Sequence, residues 1–255
     1  MQKRNILITG AGSGIGAGLA VHLAEPGHRI IVTDLDGAAA VLVAHGIEAA
    51  GGRAYAAALD VADAPAVQAL FDDPNTGHVD VLVNNAGLQH VSRLEDFDPA
   101  RWQLLINVML VGAANMMRAA LPGMRARGHG RIVNIGSIHS LVASPYKSAY
   151  IAAKHGLIGL SKTVALETGA VDITVNTICP AYVRTLLVDL QIARQAAEHK
   201  LPEERVIAEI MLKPMPKKAF ITIAEIAAAV DFFMSDGARN VTGQALALDG
   251  GWTAQ

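Results

Sequence analysis

The 255-residue chain predicts an α/β domain with a mostly parallel sheet covered by helices on both faces. Short apolar runs alternate with longer helix-like stretches along the whole chain. Most of those runs are continuously apolar, as strands covered on both faces are. The first run leads at once into a glycine-rich turn, and a helical pattern follows the turn. A hydrophobic fraction of 52% against 17% charged residues supplies a sizeable core and excludes a disordered chain. At roughly 100–200 residues per domain, one large domain over 1–255 fits the length; no repeat, low-complexity tract or linker divides it.

Taken in order, strands are expected at 6–9, 30–33, 54–58, 79–83, 132–135, 173–178 and 245–248. Between them, helical patterns cover 15–25, 38–50, 64–71, 99–127, 149–167 and 224–235. Thr222-Ile223-Ala224-Glu225 reads as a capping box for the last helix. Right-handed crossovers then put the functional edge at the C-terminal ends of the strands. Residues 183–220 break the rhythm, with no strand, several charges, and Pro202, Pro214 and Pro216. An insertion after a strand's C-terminal end is either a substrate lid or a surface helical hairpin.

A net charge of −2 leaves no electrostatic footprint for nucleic acid or an anionic membrane. One cysteine, Cys179, excludes an internal disulfide framework and fits a reducing compartment. Mean hydropathy is positive, yet no long apolar run is free of glycine, charge or amide, so no spanning helix is expected. Met1-Gln2-Lys3-Arg4 leads into an apolar stretch too short for a secretory leader, which makes the cytoplasm the expected location. No metal site is expected.

The turn Gly10-Ala11-Gly12-Ser13-Gly14-Ile15-Gly16 follows a strand and opens a helix, the context in which backbone N–H groups and a helix N-terminus cradle a pyrophosphate. Asp34 ends the second strand, roughly 20 residues on. Its carboxylate suits an adenosine ribose and repels a 2′-phosphate, favouring NAD over NADP. As a turn residue it would instead open the next helix. Asp60-Val61 follows the third strand and Asn84-Asn85-Ala86-Gly87 the fourth, both at the dinucleotide edge, although Asp and Asn also simply favour turns.

Tyr150 and Lys154 stand four apart on one helix face. A tyrosine titrates near ~10, and a nearby ammonium lowers that value enough for proton exchange with a substrate oxygen. Ser137 follows the fifth strand and would meet them at the same edge, its hydroxyl free for a carbonyl. Asn107 is a polar residue inside Leu104-Leu105-Ile106-Asn107-Val108-Met109-Leu110. It is a functional group, a kink or a satisfied core amide.

Together these motifs resemble the short-chain dehydrogenase/reductase family, in order and over essentially the whole chain: Thr9-Gly10-x-x-x-Gly14-x-Gly16, Asn84-Asn85-Ala86-Gly87, Asn107, Ser137, Tyr150-x-x-x-Lys154 and Asp249-Gly250-Gly251. The resemblance implies a doubly wound, seven-stranded parallel Rossmann sheet with a helical lid, and usually a homotetramer. It implies Tyr150 as acid/base, Lys154 on the nicotinamide ribose, Ser137 orienting the carbonyl and Asn107 holding a relay water. It also implies an NAD site at Gly10, Ser13, Gly14, Ile15, Gly16, Asp34, Asp60, Val61, Asn85, Ala86, Gly87, Pro180 and Val183.

Within that family the chain is similar to the D-3-hydroxybutyrate dehydrogenase branch. The stretches are 84–91, 137–150 and the tail Asp249-Gly250-Gly251-Trp252-Thr253-Ala254-Gln255. That likeness implies a hydroxy-acid site at Gln89, Ser137, His139, Lys147, Tyr150, Tyr182 and Gln191. The chemistry is sensible, since a small carboxylate needs a cation and donors. Read alone, Lys147 is equally a solvated lysine and His139 a loop histidine. The chain departs from the pattern at Ala181, Tyr182 and Leu186, where relatives carry Gly, Trp and Pro. Those departures keep another small hydroxy acid, alcohol or sugar open as substrate. A reductase acting on an acyl carrier protein is disfavoured by Asp34 and by the lack of a basic cluster. A non-catalytic NAD-binding protein would not need the four catalytic-type residues. Whether Trp252 serves the pocket or a subunit contact is open.

Overall fold

Strand β1 (Asn5–Thr9) takes the middle of the sheet because Ile6, Leu7 and Ile8 present apolar side chains to both faces and are fully buried. The computed structural model describes residues 3–25 and 27–254, without the side chains of Leu186 and Leu187. Met1-Gln2, read above for location, and Gln255 and the Leu186 side chain, read above through the resemblance, lie outside the described residues. Six further strands follow: β2 (Arg29–Asp34), β3 (Arg53–Ala58), β4 (Val81–Asn84), β5 (His129–Ile135), β6 (Asp172–Pro180) and β7 (Ala245–Leu248). All pair in parallel, in the order β3-β2-β1-β4-β5-β6-β7. Strand order reverses between β1 and β4, so the crevice for a ligand opens at their C-terminal ends.

The helices are α1 (Gly14–Ala24), α2 (Gly37–Ala49), α3 (Ala64–Asp72), α4 (Pro99–Ile106), α5 (Gly112–Arg127), α6 (Ser148–Glu167), α7 (Leu186–His199), α8 (Glu203–Val206) and α9 (Ile223–Met234). One face of the sheet packs on α1, α2 and α9 through residues such as Leu19, Ala44 and Val230. The other packs on α3, α5 and α6 through Val67, Met116 and Leu157. This is a single-domain, Rossmann-like α/β fold.

Two expectations bear on the stretch over 99–127, and the first needs correction. The helix expected over 99–127 is interrupted by a π turn at Asn107–Val111, closed by a bond from the Gly112 N–H to the Asn107 carbonyl. A Cβ on Gly112 would lie 2.5 Å from Val61 Cγ2. The wider turn therefore brings a bare backbone against the loop after β3, and apolar periodicity alone does not reveal the extra residue. Secondly, taken through that turn, the Pro99–Arg127 stretch is long and apolar enough to cross a membrane by length and composition. Here Leu105, Met109, Met116 and Met124 are instead buried among the protein's own side chains.

The 183–220 insertion is helical. Ile192 on α7 packs with Val206 and Met211 in a small core of its own. A parallel bridge between Val183 and Ile221 closes its base, with the Ile221 N–H donating to the Tyr182 carbonyl at 2.9 Å. Directly after it the expected capping box forms: the Thr222 N–H donates to Glu225 Oε2 at 2.7 Å, and the Glu225 N–H to Thr222 Oγ1 at 3.2 Å. Thr222→Ala should cost about 1 kcal/mol of stability. Urea titration checks this, and an unchanged midpoint would show that the box contributes nothing.

Candidate active site

The glycine turn is held from three sides. Gly10 and Gly14 have φ values of +61° and +55°, which a side chain rarely adopts. A Cβ on Gly16 would lie 2.2 Å from the Gly10 carbonyl oxygen. From β4, Asn85 Nδ2 donates to the carbonyls of Thr9 and Gly10, both at 2.9 Å. Thr9 Oγ1 returns the tie by accepting from the N–H groups of Asn85 and Ala86. From β2, Asp34 Oδ2 accepts the Gly12 N–H at 2.8 Å, and Oδ1 accepts that of Asp36. It is Asp36 that caps α2, taking the N–H groups of Ala38 and Ala39. Asp34 is therefore not the cap of the next helix. It is a half-buried carboxylate fixed against the glycine turn.

Of the other residues expected around a dinucleotide, Asp60 accepts the Ala62 N–H, and the Val61 carbonyl is held by buried Asn115. Ser13 stands at the N-cap of α1, exposed, with no side-chain bond to the helix, while Ile15 is half-buried. Pro180 and Val183 are buried at the end of β6 and the base of the insertion. Gly87 is exposed just past β4.

Helix α6 carries Tyr150 and Lys154 and is anchored by a buried polar ladder. Asn84 donates to Asn134 Oδ1 at 2.8 Å, and Asn134 donates to Ser161 Oγ at 2.8 Å. Ser161 also meets Thr177 Oγ1 at 2.9 Å. Lys154 is buried, its Nζ donating to the Ile135 carbonyl at 2.7 Å and lying 5.8 Å from the Tyr150 ring centre. Burial pulls its pKa down to about 8. Burial also raises the Tyr150 phenol above the ordinary value, while the facing Ser137 hydroxyl pulls the other way. The lowering expected from the neighbouring ammonium is thus reversed. Loss of water around the phenol dominates, and Lys154 gives a hydrogen bond to a carbonyl instead.

Asn107 lies on the π turn, half-buried, and its Oδ1 accepts from Gln103 at 2.8 Å. Its neighbours Val108, Met109 and Gly112 line a cavity of about 10 Å³ together with Lys154, Ile135, Thr9 and Asn84. The π turn faces the lysine through that cavity. No group of three His, Cys, Asp or Glu suited to a metal occurs among the described residues.

Lys147 and His139 come together on the other side of Tyr150. Lys147 Nζ lies 3.4 Å from His139 Nε2, and the His139 ring stands edge-on to Tyr150 at 6.3 Å. Lys147 is half-buried, with its pKa lowered by desolvation, so it is not a solvated lysine. Tyr146, with φ +68°, turns the chain into α6, and its carbonyl accepts the Ser92 N–H. Gln89 is half-buried nearby in sequence to the β4 turn, with a buried Oε1 that has no protein partner. Gln191 is half-buried on α7, and no bond joins it to Lys147 or His139. Trp252 belongs to the pocket: it stands edge-on to His139 at 5.9 Å and stacks on Tyr182 at 6.2 Å. Its place is set by Asp249, which accepts from Gly251 N and from both N and Oγ1 of Thr253. The tail motif was legible; that it folds back onto His139 was not.

His139 has its pKa pushed down to about 4, first by burial and then by Lys147. A histidine shifted this way favours the fold in its neutral form. Its stabilising contribution is complete above the ordinary value of 6.5 and is lost as pH falls from there toward 4. NMR of the ring carbons should show neutral imidazole at pH 5.5. Half-protonation near pH 6.5 would contradict this environment.

The chain is similar to several known proteins. The profile of the enoyl-(acyl carrier protein) reductase family matches residues 10–253. A D-beta-hydroxybutyrate dehydrogenase of Rhizobium meliloti (strain 1021) is 43% identical over 100% of both chains. One from Cupriavidus necator (strain ATCC 17699) is 42% identical, again over 100% of both. A putative short-chain alcohol dehydrogenase from Sinorhizobium meliloti 1021 superposes with a TM-score of 0.89 at 35% identity, over 100% of this chain and 98% of the other. With its parallel sheet, its glycine turn and the Ser137, Tyr150 and Lys154 cluster, the chain belongs to the short-chain dehydrogenase/reductase family of oxidoreductases.

Proposed function

We propose that the protein interconverts D-3-hydroxybutyrate and acetoacetate with NAD. The observation that carries this reading is the Lys147–His139 pair beside Tyr150. It places a partly desolvated cation one residue cluster away from a phenol that can take a hydroxyl proton. In this reading a short hydroxy acid lays its carboxylate on Lys147 and its hydroxyl at Tyr150. The relatives named for this activity, similar over their whole length, support it.

The dinucleotide fits the residues present. Gly10, Gly12 and Gly16 leave backbone where a Cβ would collide, at the N-terminus of α1. Asp34 sits beside that turn as an acceptor for ribose hydroxyls and a barrier to a 2′-phosphate. Asp34, Asn85, Tyr150 and Lys154 would hold NAD there, and it would supply the acceptor for the substrate's C3 hydride. The chain's own residues do the rest. Tyr150 removes the hydroxyl proton as phenolate and returns it as phenol in the reverse direction. Ser137 donates to the substrate oxygen. Lys154, held by Ile135, keeps a positive charge near the phenolate that forms. Lys147 holds the carboxylate, with neutral His139, Gln89 and Gln191 as hydrogen-bonding partners.

A charge-assisted hydrogen bond in a desolvated pocket is worth about 1.5–3 kcal/mol. Lys147→Met should therefore lower kcat/KM for D-3-hydroxybutyrate roughly 10- to 150-fold. It should affect an uncharged secondary alcohol of similar size far less. The assay is NADH formation with acid and neutral substrates, run in parallel with NADP. Equal losses on both substrates would make Lys147 structural. A wild-type preference for the neutral substrate would replace the hydroxy-acid reading with that of an alcohol or sugar dehydrogenase.

A further inference from the structure

Ser137 begins a short 3₁₀ turn, Ile138–Ser140, that is buried throughout. Its Oγ accepts the His139 N–H at 3.1 Å. A hydroxyl has one proton to give, so this acceptor bond leaves that proton for an oxygen at Tyr150. What holds the turn is a second serine. The Ser137 N–H donates to Ser140 Oγ at 3.1 Å, completing a serine–serine capping box. Having accepted that bond, Ser140 has its own proton free for Cys179 Sγ on β6, which also meets the Ser137 backbone N–H. Closeness is shown independently at Gly136. A Cβ built there would lie 2.9 Å from Ser140 Oγ and 3.1 Å from Cys179 Sγ. Ser140 is 3% exposed and Cys179 0%, so no water can replace either partner without rearrangement.

We propose that Ser140, anchored on Cys179, is a positioning residue that aims the Ser137 hydroxyl at the reacting oxygen. Loss of its side chain leaves the Ser137 N–H with only the Cys179 sulfur, a weak acceptor, in a dry site, and the turn must shift to find a better one. The Ser137 hydroxyl then loses its alignment with the phenol. This rests on the acid/base reading of Ser137 and Tyr150 given above.

A double-mutant cycle tests it, using kcat for NAD-linked oxidation and its pH profile in the full-length protein. Ser140→Ala should lower kcat about fivefold to tenfold, the scale of one hydrogen bond. The acid limb of the profile should move to higher pH, because the Ser137 hydroxyl no longer pulls the phenol down. Once Ser137→Ala is in place, adding Ser140→Ala should change kcat by less than about twofold. Cys179→Val, which removes the anchor and leaves both serines, should shift the limb in the same direction. A merely structural Ser140 would give losses that multiply with those of Ser137→Ala and an unmoved limb; either result overturns the proposal. Full turnover in Ser140→Ala overturns it as well. If Ser137→Ala and Tyr150→Phe themselves keep full activity, the acid/base reading fails instead, and the two failures are told apart.

Discussion

A lysine whose ammonium is buried at the C-terminal edge of a parallel sheet is the constraint around which this molecule is arranged. Lys154 cannot stay charged in a dry site without a close acceptor, and the Ile135 carbonyl at the end of β5 provides one. That bond fixes how far α6 can slide along the sheet, and Tyr150 travels with it, one turn away. The Asn84–Asn134–Ser161–Thr177 ladder holds the same helix from its other end. Both anchors use residues of β4, β5 and β6 in the sheet's C-terminal half, so Tyr150 and Lys154 land at the sheet edge on the glycine turn's side. The cost is visible in the lysine itself, whose pKa is drawn down to about 8. Such a group gives up its proton more readily than an exposed lysine, which suits a site that passes protons.

Everything else at the site is arranged to point short polar groups into little space. Asn85 ties β4 to β1 beneath the glycine turn, and Asp34 ties β2 to it from the side. The C-terminal tail folds over Asp249 and lays Trp252 between His139 and Tyr182. Tyr182 packs against the sheet core and against the insertion's own small core. The aromatic wall of the pocket is thus also the joint at which the insertion meets the domain. Ala181 and Tyr182, where the chain departs from the pattern of its relatives, lie at that joint rather than at the reacting atoms.

The strand pattern was legible because strands buried on both faces must be continuously apolar, and the glycine turn because glycine adopts φ values near +60° most readily. Ser137, Tyr150 and Lys154 were legible as spaced polar residues beside strand ends. Less visible were features that depend on three dimensions. The π turn at Asn107 adds one residue to a helix whose apolar pattern barely changes. Asp36, not Asp34, caps α2, leaving Asp34 to clamp the glycine turn, a division of labour that spacing alone does not reveal. The direction of the Tyr150 shift turns on burial, which charge counting along a helix does not reveal. Trp252 and Ser140 act through contacts formed far along the chain or within a single tight turn, and only a sequence signal as weak as Ser-x-x-Ser marks the latter.

The central claim is that Tyr150, carried beside buried Lys154, is the group that moves the proton. The pH dependence of kcat for NAD-linked oxidation of D-3-hydroxybutyrate, in wild type and Tyr150→Phe, tests it most directly. Because oxidation requires the phenolate, the wild-type rate should climb as pH rises above neutrality along one ionisation. Tyr150→Phe should fold normally and lose about 10²-fold or more in kcat, with that ionisation gone. A variant that keeps near-normal turnover, or the same rising limb, would contradict the account.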